Sequence, residues 1–293
     1  MASLKEIRAR INSVISTRKI TGAMKMVSAA KLKKAESATL QLVPYKEKLA
    51  ETLGNFLGSL EDDVIIPLAE HRHVQKVAVV VFSSNNGLCG VYNSNVQKVF
   101  EQCYDAYCQE IGADNIIVYA VGKKIYEFLC RKKIMVQESS FTLGEKPTYS
   151  DAVAMAGRLA DLFLNKDVDK VELIYNHYKN AGIQVPTRDV MLPVKVNRTD
   201  NHLGSDIPYI VEPNKEELVK HLVPKVVKTQ FYATLLDAFT AEHGARTTAM
   251  QIASENADML VQELRQNYNR VRQEVITNEI IDIVGGAEAL RGK

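Results

Sequence analysis

The sequence predicts an α/β domain inserted between two long helices that pair with each other as an antiparallel coiled coil. Three observations support this fold class. The region from Asn214 to Val284 contains one proline and one glycine before the pair Gly285-Gly286. The first 60 residues also have a helical pattern, and the residues between these two regions alternate between strand and helix patterns.

The N-terminal helix is assigned to residues 1–60. Ser3 and Glu6 have the spacing of a capping box at its start. Beyond Thr17 small residues replace most of the bulky ones, which suits two closely packed helices. Pro44 is expected to kink or interrupt the helix, because proline lacks a backbone donor and clashes with the preceding turn. The first apolar residues alternate steps of three and four, as in a coiled-coil seam: Leu4, Ile7, Ile11 and Val14.

Residues 74–197 are predicted to form a Rossmann-like α/β domain with a mainly parallel sheet. Short apolar runs of the kind found in buried strands alternate there with helical patterns. Pro186 and Pro193 in the last extended segment, residues 183–196, indicate an edge strand. Strands are expected at residues 77–82, 116–121, 134–141 and 170–179, and helices at 93–111, 123–130 and 148–164.

The C-terminal helix is assigned to residues 214–287, and the two glycines after Val284 are expected to end it. A continuous helix over this region would be roughly 100 Å long at ~1.5 Å per residue. It would protrude from a compact chain of this size, roughly 40–50 Å across, and therefore needs the N-terminal helix as a partner. A start before or after Pro224 is equally compatible with the pattern. Apolar residues recur at helical spacing: Leu260, Leu264, Tyr268, Val271 and Val275.

The composition is that of a soluble globular protein, with 25% charged residues and a net charge of +2. No apolar run approaches the ~20 residues of a membrane span. The N-terminal sequence leads directly into an amphipathic helix without the apolar region of a signal peptide. We therefore expect a location on the cytoplasmic side, where the four cysteines would be reduced and mostly buried.

The net charge hides a basic excess near the N-terminus. Over residues 1–48 the acids are Glu6, Glu36 and Glu47. A solvated helix face is the simplest interpretation, and an acidic protein partner or a nucleic acid are alternatives. Nucleic acid is disfavoured because no aromatic residue for base stacking occurs before Tyr45. The basic residues are Lys5, Arg8, Arg10, Arg18, Lys19, Lys25, Lys31, Lys33, Lys34, Lys46 and Lys48.

No motif predicts a catalytic, cofactor or metal site. The glycine patterns of dinucleotide-binding and P-loop proteins are absent, and the histidines lack metal-ligand spacing. Residues Asn85–Gly90 follow the first strand and could expose amides to an anion, but we interpret them as a structural turn. Cys89 would need a base such as His177 to act as a nucleophile, and nothing in the sequence brings the two together.

Ordered segments at both ends and in the middle of the chain resemble one family over essentially the full length. They are residues 7–8, 19–27, 86–90, 209–213, 242–250, 268–279 and 283–287. The chain resembles the gamma subunits of bacterial-type rotary ATP synthases. The resemblance implies a non-catalytic central rotor shaft without a cofactor, in which the terminal helices form the coiled coil.

In that family the coiled coil lies inside a hexamer of three alpha and three beta subunits. The α/β domain lies beside the epsilon subunit and the membrane rotor ring of c subunits. The resemblance therefore implies that the chain couples ion-driven rotation of the ring to ATP synthesis or hydrolysis at the beta-subunit sites. A proton is the expected coupling ion, with sodium left open. The complex would sit on the cytoplasmic face of the bacterial inner membrane, with this chain peripheral and not inserted.

The resemblance also assigns contact residues near the ends of the two helices. Met24 matches a methionine that faces the moving, acidic lever of a beta subunit. Arg272 and Gln273 match a pair that meets a beta-subunit catch loop, and Thr277 and Glu279 match positions in the same region.

Two further residues match the foot of the shaft: Tyr209 and Glu212 correspond to positions near the polar loops of the rotor ring. The chain departs from the family at Gly22, where relatives often carry a larger residue. The alternatives are a nucleotide-dependent α/β enzyme with a coiled-coil appendage, and a coiled-coil adaptor unrelated to rotation.

Overall fold

The computed structural model describes residues 3–58, 66–194 and 215–291. The chain divides into two compact units, one formed by Met1–Val27 with Thr247–Lys293 and the other by Ser28–Arg246. Two long helices, α1 (Leu4–Gly58) and α6 (Lys215–Arg291), contribute to both units. The predicted domain limits stay predictions: residues 1–60 for the N-terminal helix, 74–197 for the α/β domain and 214–287 for the C-terminal helix.

The larger unit contains a five-stranded sheet with the order β3-β2-β1-β4-β5. β1 pairs in parallel with β2 and β4, and β2 pairs in parallel with β3. Only β5 runs antiparallel, as an edge strand against β4. The strands are β1 (Val77–Phe82), β2 (Ile116–Val121), β3 (Val136–Ser140), β4 (Lys170–Asn180) and β5 (Ile183–Leu192).

This sheet confirms the predicted Rossmann-like arrangement, including the edge position of the strand that contains Pro186. Proline is tolerated at an edge because no neighbouring strand there requires its missing backbone donor. The intervening helices are α2 (Tyr92–Glu110), α3 (Lys123–Arg131), α4 (Phe141–Glu145) and α5 (Tyr149–Leu164).

β1 is fully buried because both faces of the sheet are covered. Alternate residues of a strand point to opposite faces, and the two cores follow this rule. Val77, Val79 and Val81 pack with α2 and α3. Val80 and Phe82 belong to the other core, together with α5 and with side chains of both long helices. In this unit α1 and α6 therefore form part of the layer that covers the sheet. Their contributions to the core include Leu53, Phe56, Phe231 and Leu235.

The predicted capping box at the start of α1 is present, and a similar cap starts α5. The Ser3 amide donates to Glu6 Oε2 at 2.9 Å, and the Glu6 amide donates to Ser3 Oγ at 3.3 Å. At the start of α5 the Asp151 amide donates to Thr148 Oγ1 at 3.3 Å. Each cap satisfies backbone donors that the first turn of a helix leaves without intrahelical partners.

The expected interruption of α1 at Pro44 and the expected end of α6 at Gly285-Gly286 do not occur. α1 continues through Pro44 to Gly58, because the packing of Leu53 and Phe56 in the core favours helix beyond the proline. α6 continues through Gly285 and Gly286 to Arg291, and neither glycine adopts the left-handed conformation of a helix cap. The open question at the other end of α6 is also answered, since this helix begins at Lys215 and contains Pro224.

Candidate functional site

In the smaller unit, α1 and α6 run antiparallel, and the polar contacts that join them include an ion pair and a contact between two hydroxyl groups. Arg18 Nη1 donates to Asp258 Oδ1 at 2.5 Å. Thr21 Oγ1 lies 2.8 Å from Ser254 Oγ. Because the residue number rises along α1 as it falls along α6, these two contacts define both the direction and the register of the pair.

The seam of this pair repeats every seven residues on α6 and confirms the predicted coiled coil. Of the five apolar residues predicted at helical spacing, Leu264, Tyr268 and Val271 lie in the seam. Buried Val261 takes the place of Leu260, and Val275 is exposed. Small or polar residues in the middle of the seam allow close approach of the helices. The seam residues of α6 are Met250, Ser254, Ala257, Val261, Leu264, Tyr268 and Val271, and those of α1 include Leu4, Ile7, Ile11 and Val14.

Beyond the seam, α6 extends past the start of α1. The register set by the Thr21–Ser254 contact places Leu4 opposite Val271. Every side chain from 272 to 287 is exposed, and we call these residues the distal segment. Six of them are large and apolar: Val275, Ile276, Ile280, Ile281, Ile283 and Val284.

The predicted contact residues fall into two separate regions of the smaller unit. The four on α6 are exposed and lie within the first half of the distal segment: Arg272, Gln273, Thr277 and Glu279. Met24 is half-buried on α1, opposite residues near Ile252. This position is about 30 Å from Arg272 along the helix axis, at 1.5 Å per residue. The predicted foot residues, Tyr209 and Glu212, lie outside the described residues.

The coiled coil exposes basic side chains, as the basic excess over residues 1–48 indicated, and also large apolar side chains that the sequence patterns did not single out. Of the basic side chains, Lys5, Arg8, Arg10 and Lys19 make no ion pair within the part of the chain that the structure describes. The exposure of the apolar side chains could have been predicted only from the register of the two helices, which determines the side chains that the seam covers. The exposed apolar residues are Ile20, Met26, Val27, Ile252 and Met259.

In the larger unit, residues at the end of β1 and in the loop after it accept hydrogen bonds from the first amides of α3. The amide of Lys123, the first residue of α3, donates to Asn85 Oδ1 at 2.9 Å. The next two amides donate to the Ser84 carbonyl oxygen at 3.0 Å and to Ser83 Oγ at 2.9 Å. Because these donors of the helix N-terminus are already satisfied, none is free for a phosphate group. These amides belong to α3, and the interpretation of residues 85–90 as a structural turn stays a prediction.

The same loop is fixed to α6 by Arg246, which also forms a buried ion pair within that helix. Arg246 Nη1 lies 2.7 Å from Glu242 Oε1, and both side chains are 8% exposed. Arg246 Nη2 donates to the carbonyl oxygen of Asn86 at 3.1 Å. His243, one turn from Arg246, is buried as well. Burial, together with the positive charges of Arg246 and Lys31, lowers the pKa of His243 to about 3.

The structure does not bring Cys89 and His177 together as a catalytic pair. Cys89 Sγ contacts Asn93 and Ser84, and burial raises the pKa of its thiol. His177 Nδ1 instead lies 2.6 Å from Asp237 Oδ2.

Within residues 3–58, 66–194 and 215–291, no group of three potential ligands could hold a metal ion. Over the same ranges, no helix has the length and apolar content to cross a membrane.

Known proteins resemble this chain in both sequence and fold. The ATP synthase family profile matches residues 3–290. The ATP synthase gamma chain of Bacteroides fragilis is 48% identical over 99% of this chain and 100% of its own length. The corresponding protein of Christiangramia forsetii is 44% identical over the full length of both chains.

Two solved structures share the fold at low sequence identity. A chain from the mitochondrial ATP synthase of Euglena gracilis has a TM-score of 0.68 at 16% identity and covers 98% of this chain and 94% of its own. A chain from the central stalk and c-ring of the Tetrahymena thermophila enzyme has a TM-score of 0.57 at 22% identity, covering 80% and 99%. The full-length matches to the bacterial sequences establish that this chain belongs to the family of ATP synthase gamma chains.

Proposed function

We propose that this chain is the central shaft of a rotary ATP synthase and couples rotation to ATP synthesis or hydrolysis. The observation that carries the proposal is the distal segment of α6, which extends beyond its partner helix with every side chain exposed from 272 to 287. An apolar helix end without a partner of its own is suited to a position inside another protein. The gamma-chain identity of the relatives supports a hexamer of alpha and beta subunits as that protein.

The distal segment has the side chains that a rotating contact requires. Ile276, Ile280 and Ile283 are spaced along one helix face. Because apolar contacts are non-directional, such a face can rotate against surrounding subunits without breaking hydrogen bonds. Arg272 and Gln273 add donors that can bind a beta-subunit catch loop in one orientation and release it in another. Thr277 and Glu279 extend this polar surface.

Met24 and the basic face of α1 are proposed to meet the acidic lever of a beta subunit. The unpaired Lys and Arg side chains of the smaller unit would attract that segment through long-range electrostatics. A neutral, flexible methionine within this field allows the two surfaces to slide. Tyr209 and Glu212 are proposed to contact the ring of c subunits, on the basis of the resemblance alone.

In this proposal the chain performs no bond chemistry and needs no cofactor. Through the discrete orientations of its coiled coil, it couples the free energy of rotation at the membrane ring to nucleotide binding at the distant beta-subunit sites. The epsilon subunit and the rotor ring are its further partners, and the chain is peripheral on the cytoplasmic face of the bacterial inner membrane. A proton is the proposed coupling ion, and sodium is the alternative.

The test is reconstitution of purified chain with the alpha and beta subunits of the same source. The chain alone is expected to show no ATPase activity, and its addition to alpha and beta subunits should produce cooperative hydrolysis with rotation of a bead attached to the chain. A variant truncated after Val271 provides the matched control for the distal segment. Normal multi-site cooperativity in an assembly that lacks this chain would contradict the proposal. Micromolar binding of a nucleotide to the isolated chain in calorimetry would support the enzyme alternative instead.

A further inference from the structure

A cleft of about 420 Å³ opens in the larger unit between α1, β4 and α6. We call it the α1–β4–α6 cleft. Its lining includes Leu40 and Val43 from α1, Tyr178 from β4, and Asp237 from α6. None of these residues belongs to the contact surfaces assigned above.

The rim of the cleft exposes apolar side chains from α1. Leu40 is 73% exposed and Val43 is 40% exposed. The two residues are three positions apart, so they lie on the same face of the helix one turn from each other. Two large aliphatic groups at the opening of a cavity form a surface that a partner side chain can cover, with release of water from all the apolar groups involved.

In the part of the chain that the structure describes, the cleft is lined by two carboxylates and by one lysine, Lys46, which forms an ion pair with neither of them. Glu36 Oε1 accepts a hydrogen bond from the Tyr178 hydroxyl at 2.6 Å. Asp237 accepts from the Tyr178 amide at 2.9 Å, and its other oxygen lies 2.6 Å from His177 Nδ1. Neither carboxylate forms an ion pair with a lysine or arginine among the described residues. Each retains unused acceptor capacity, and the contacts to Tyr178 hold both in place.

We propose that the α1–β4–α6 cleft is a docking site for a basic segment of another protein subunit, which inserts an apolar side chain between Leu40 and Asp237 and places a lysine or arginine against Glu36 and Asp237. The exposed apolar groups of Leu40 and Val43 and the acceptors of Glu36 and Asp237 suit these two side-chain types together, and Lys46 is the one lysine among the described residues that line the cleft. A small cation would satisfy the carboxylates but would leave the rim in water. The inference rests on the proposed function in taking the partner to be another subunit of the same assembly.

The experiment uses photocrosslinking in the complete reconstituted complex. Leu40 is replaced by the photoreactive residue p-benzoylphenylalanine, and the crosslinked peptide is identified by mass spectrometry. We expect a crosslink to one subunit, at a segment with an apolar residue and a lysine or arginine within one helical turn. The matched control is the same photoreactive residue at Met135. This residue is 85% exposed and immediately precedes β3, the edge strand at the other end of the sheet from β5.

The charge requirement is tested with the double variant Glu36→Gln and Asp237→Asn, which retains acceptors for the Tyr178 contacts. Loss of two partly exposed charge pairs should weaken docking about tenfold and lower the crosslink yield accordingly. Absence of a crosslink, capture of an acidic segment, or capture of a second copy of this chain would each overturn the docking proposal. Cooperative hydrolysis is measured on the same preparations. Restored hydrolysis without the expected crosslink contradicts only the docking site, whereas failure of the unmodified chain to restore hydrolysis contradicts the proposed function.

Discussion

A Cβ atom built on Gly244 would lie 2.9 Å from Cε2 of Tyr178 and 3.4 Å from Cα of Ala181. The absence of a side chain at Gly244 therefore allows α6 to pack closely against the end of β4. The Tyr178 ring has little freedom to move away, because its hydroxyl is bonded to Glu36 and its amide to Asp237.

We expect opposite effects of alanine at two helical glycines. Alanine is favoured over glycine within a helix by ~1 kcal/mol. Gly22 has open space where a Cβ would lie, so Gly22→Ala should raise the free energy of unfolding by about that amount. At Gly244 the overlap with Tyr178 should outweigh the gain, since overpacking costs about 1–3 kcal/mol. Denaturant unfolding of both variants measures the difference, and equal effects would contradict the close packing at Gly244.

The buried His243 should make the stability of the chain depend on pH. Its folded-state pKa of about 3 lies below its ordinary value of 6.5. The unfolded chain therefore binds a proton that the folded chain does not. The contribution of neutral His243 to stability is complete above pH 6.5 and is lost as the pH falls towards 3, by up to about 1.4 kcal/mol per pH unit.

The measurement compares the free energy of unfolding of the natural chain and of His243→Gln between pH 7 and pH 4. Glutamine retains an acceptor for Arg246 but does not titrate. Carboxyl groups elsewhere titrate in both proteins and cancel in the comparison. We expect the natural chain to lose more stability than the variant as the pH falls, and parallel curves would contradict a buried neutral His243.

A second buried charge connects β4, β5 and α2. Glu172 is 1% exposed and accepts hydrogen bonds from Arg188 Nε at 2.6 Å and from the Tyr107 hydroxyl at 2.8 Å. Lys170 Nζ lies 2.8 Å from the same carboxylate. Burial alone would raise the pKa of Glu172, but these hydrogen bonds hold the pKa below its ordinary value.

Arg188→Met should therefore destabilise the larger unit by about 2–3 kcal/mol, since it leaves a buried carboxylate with fewer partners. The matched control is Arg158→Met, which removes an exposed ion pair with Glu138. That pair should contribute less than about 1 kcal/mol. Thermal and denaturant unfolding measure both variants. Equal losses would indicate that the Glu172 cluster is no more important than a surface pair.

The elements that local patterns encode could be predicted from the sequence. The steps between Leu4, Ile7 and Ile11 indicated a coiled coil, because only those spacings keep apolar residues on one face of a helix. Pro186 indicated the edge strand. The capping box of Ser3 and Glu6 was recognisable because its two residues are three positions apart. The coiled coil, the parallel sheet and the antiparallel edge strand are all present in the structure.

Features that depend on distant residues could not be predicted in this way. Continuation of α1 through Pro44 depends on Leu53 and Phe56 packing against strands far along the chain. The exposed state of the distal segment follows from the register of Thr21 with Ser254, which no local pattern encodes. The α1–β4–α6 cleft brings together Glu36, Tyr178 and Asp237, and their spacing in sequence gives no indication of that proximity.

The last prediction concerns Met24 and tests the proposed sliding contact with a beta-subunit lever. Met24→Lys adds a positive charge to a surface where Lys19 is already exposed, and an acidic lever would bind this charge through an ion pair. Such a pair must be broken at each step of rotation, so coupling should fall while assembly of the complex is retained. Met24→Leu is the neutral control and should leave coupling intact. The measurement is the number of ions moved per ATP hydrolysed in reconstituted vesicles, and an unchanged ratio in Met24→Lys would rule out the sliding contact.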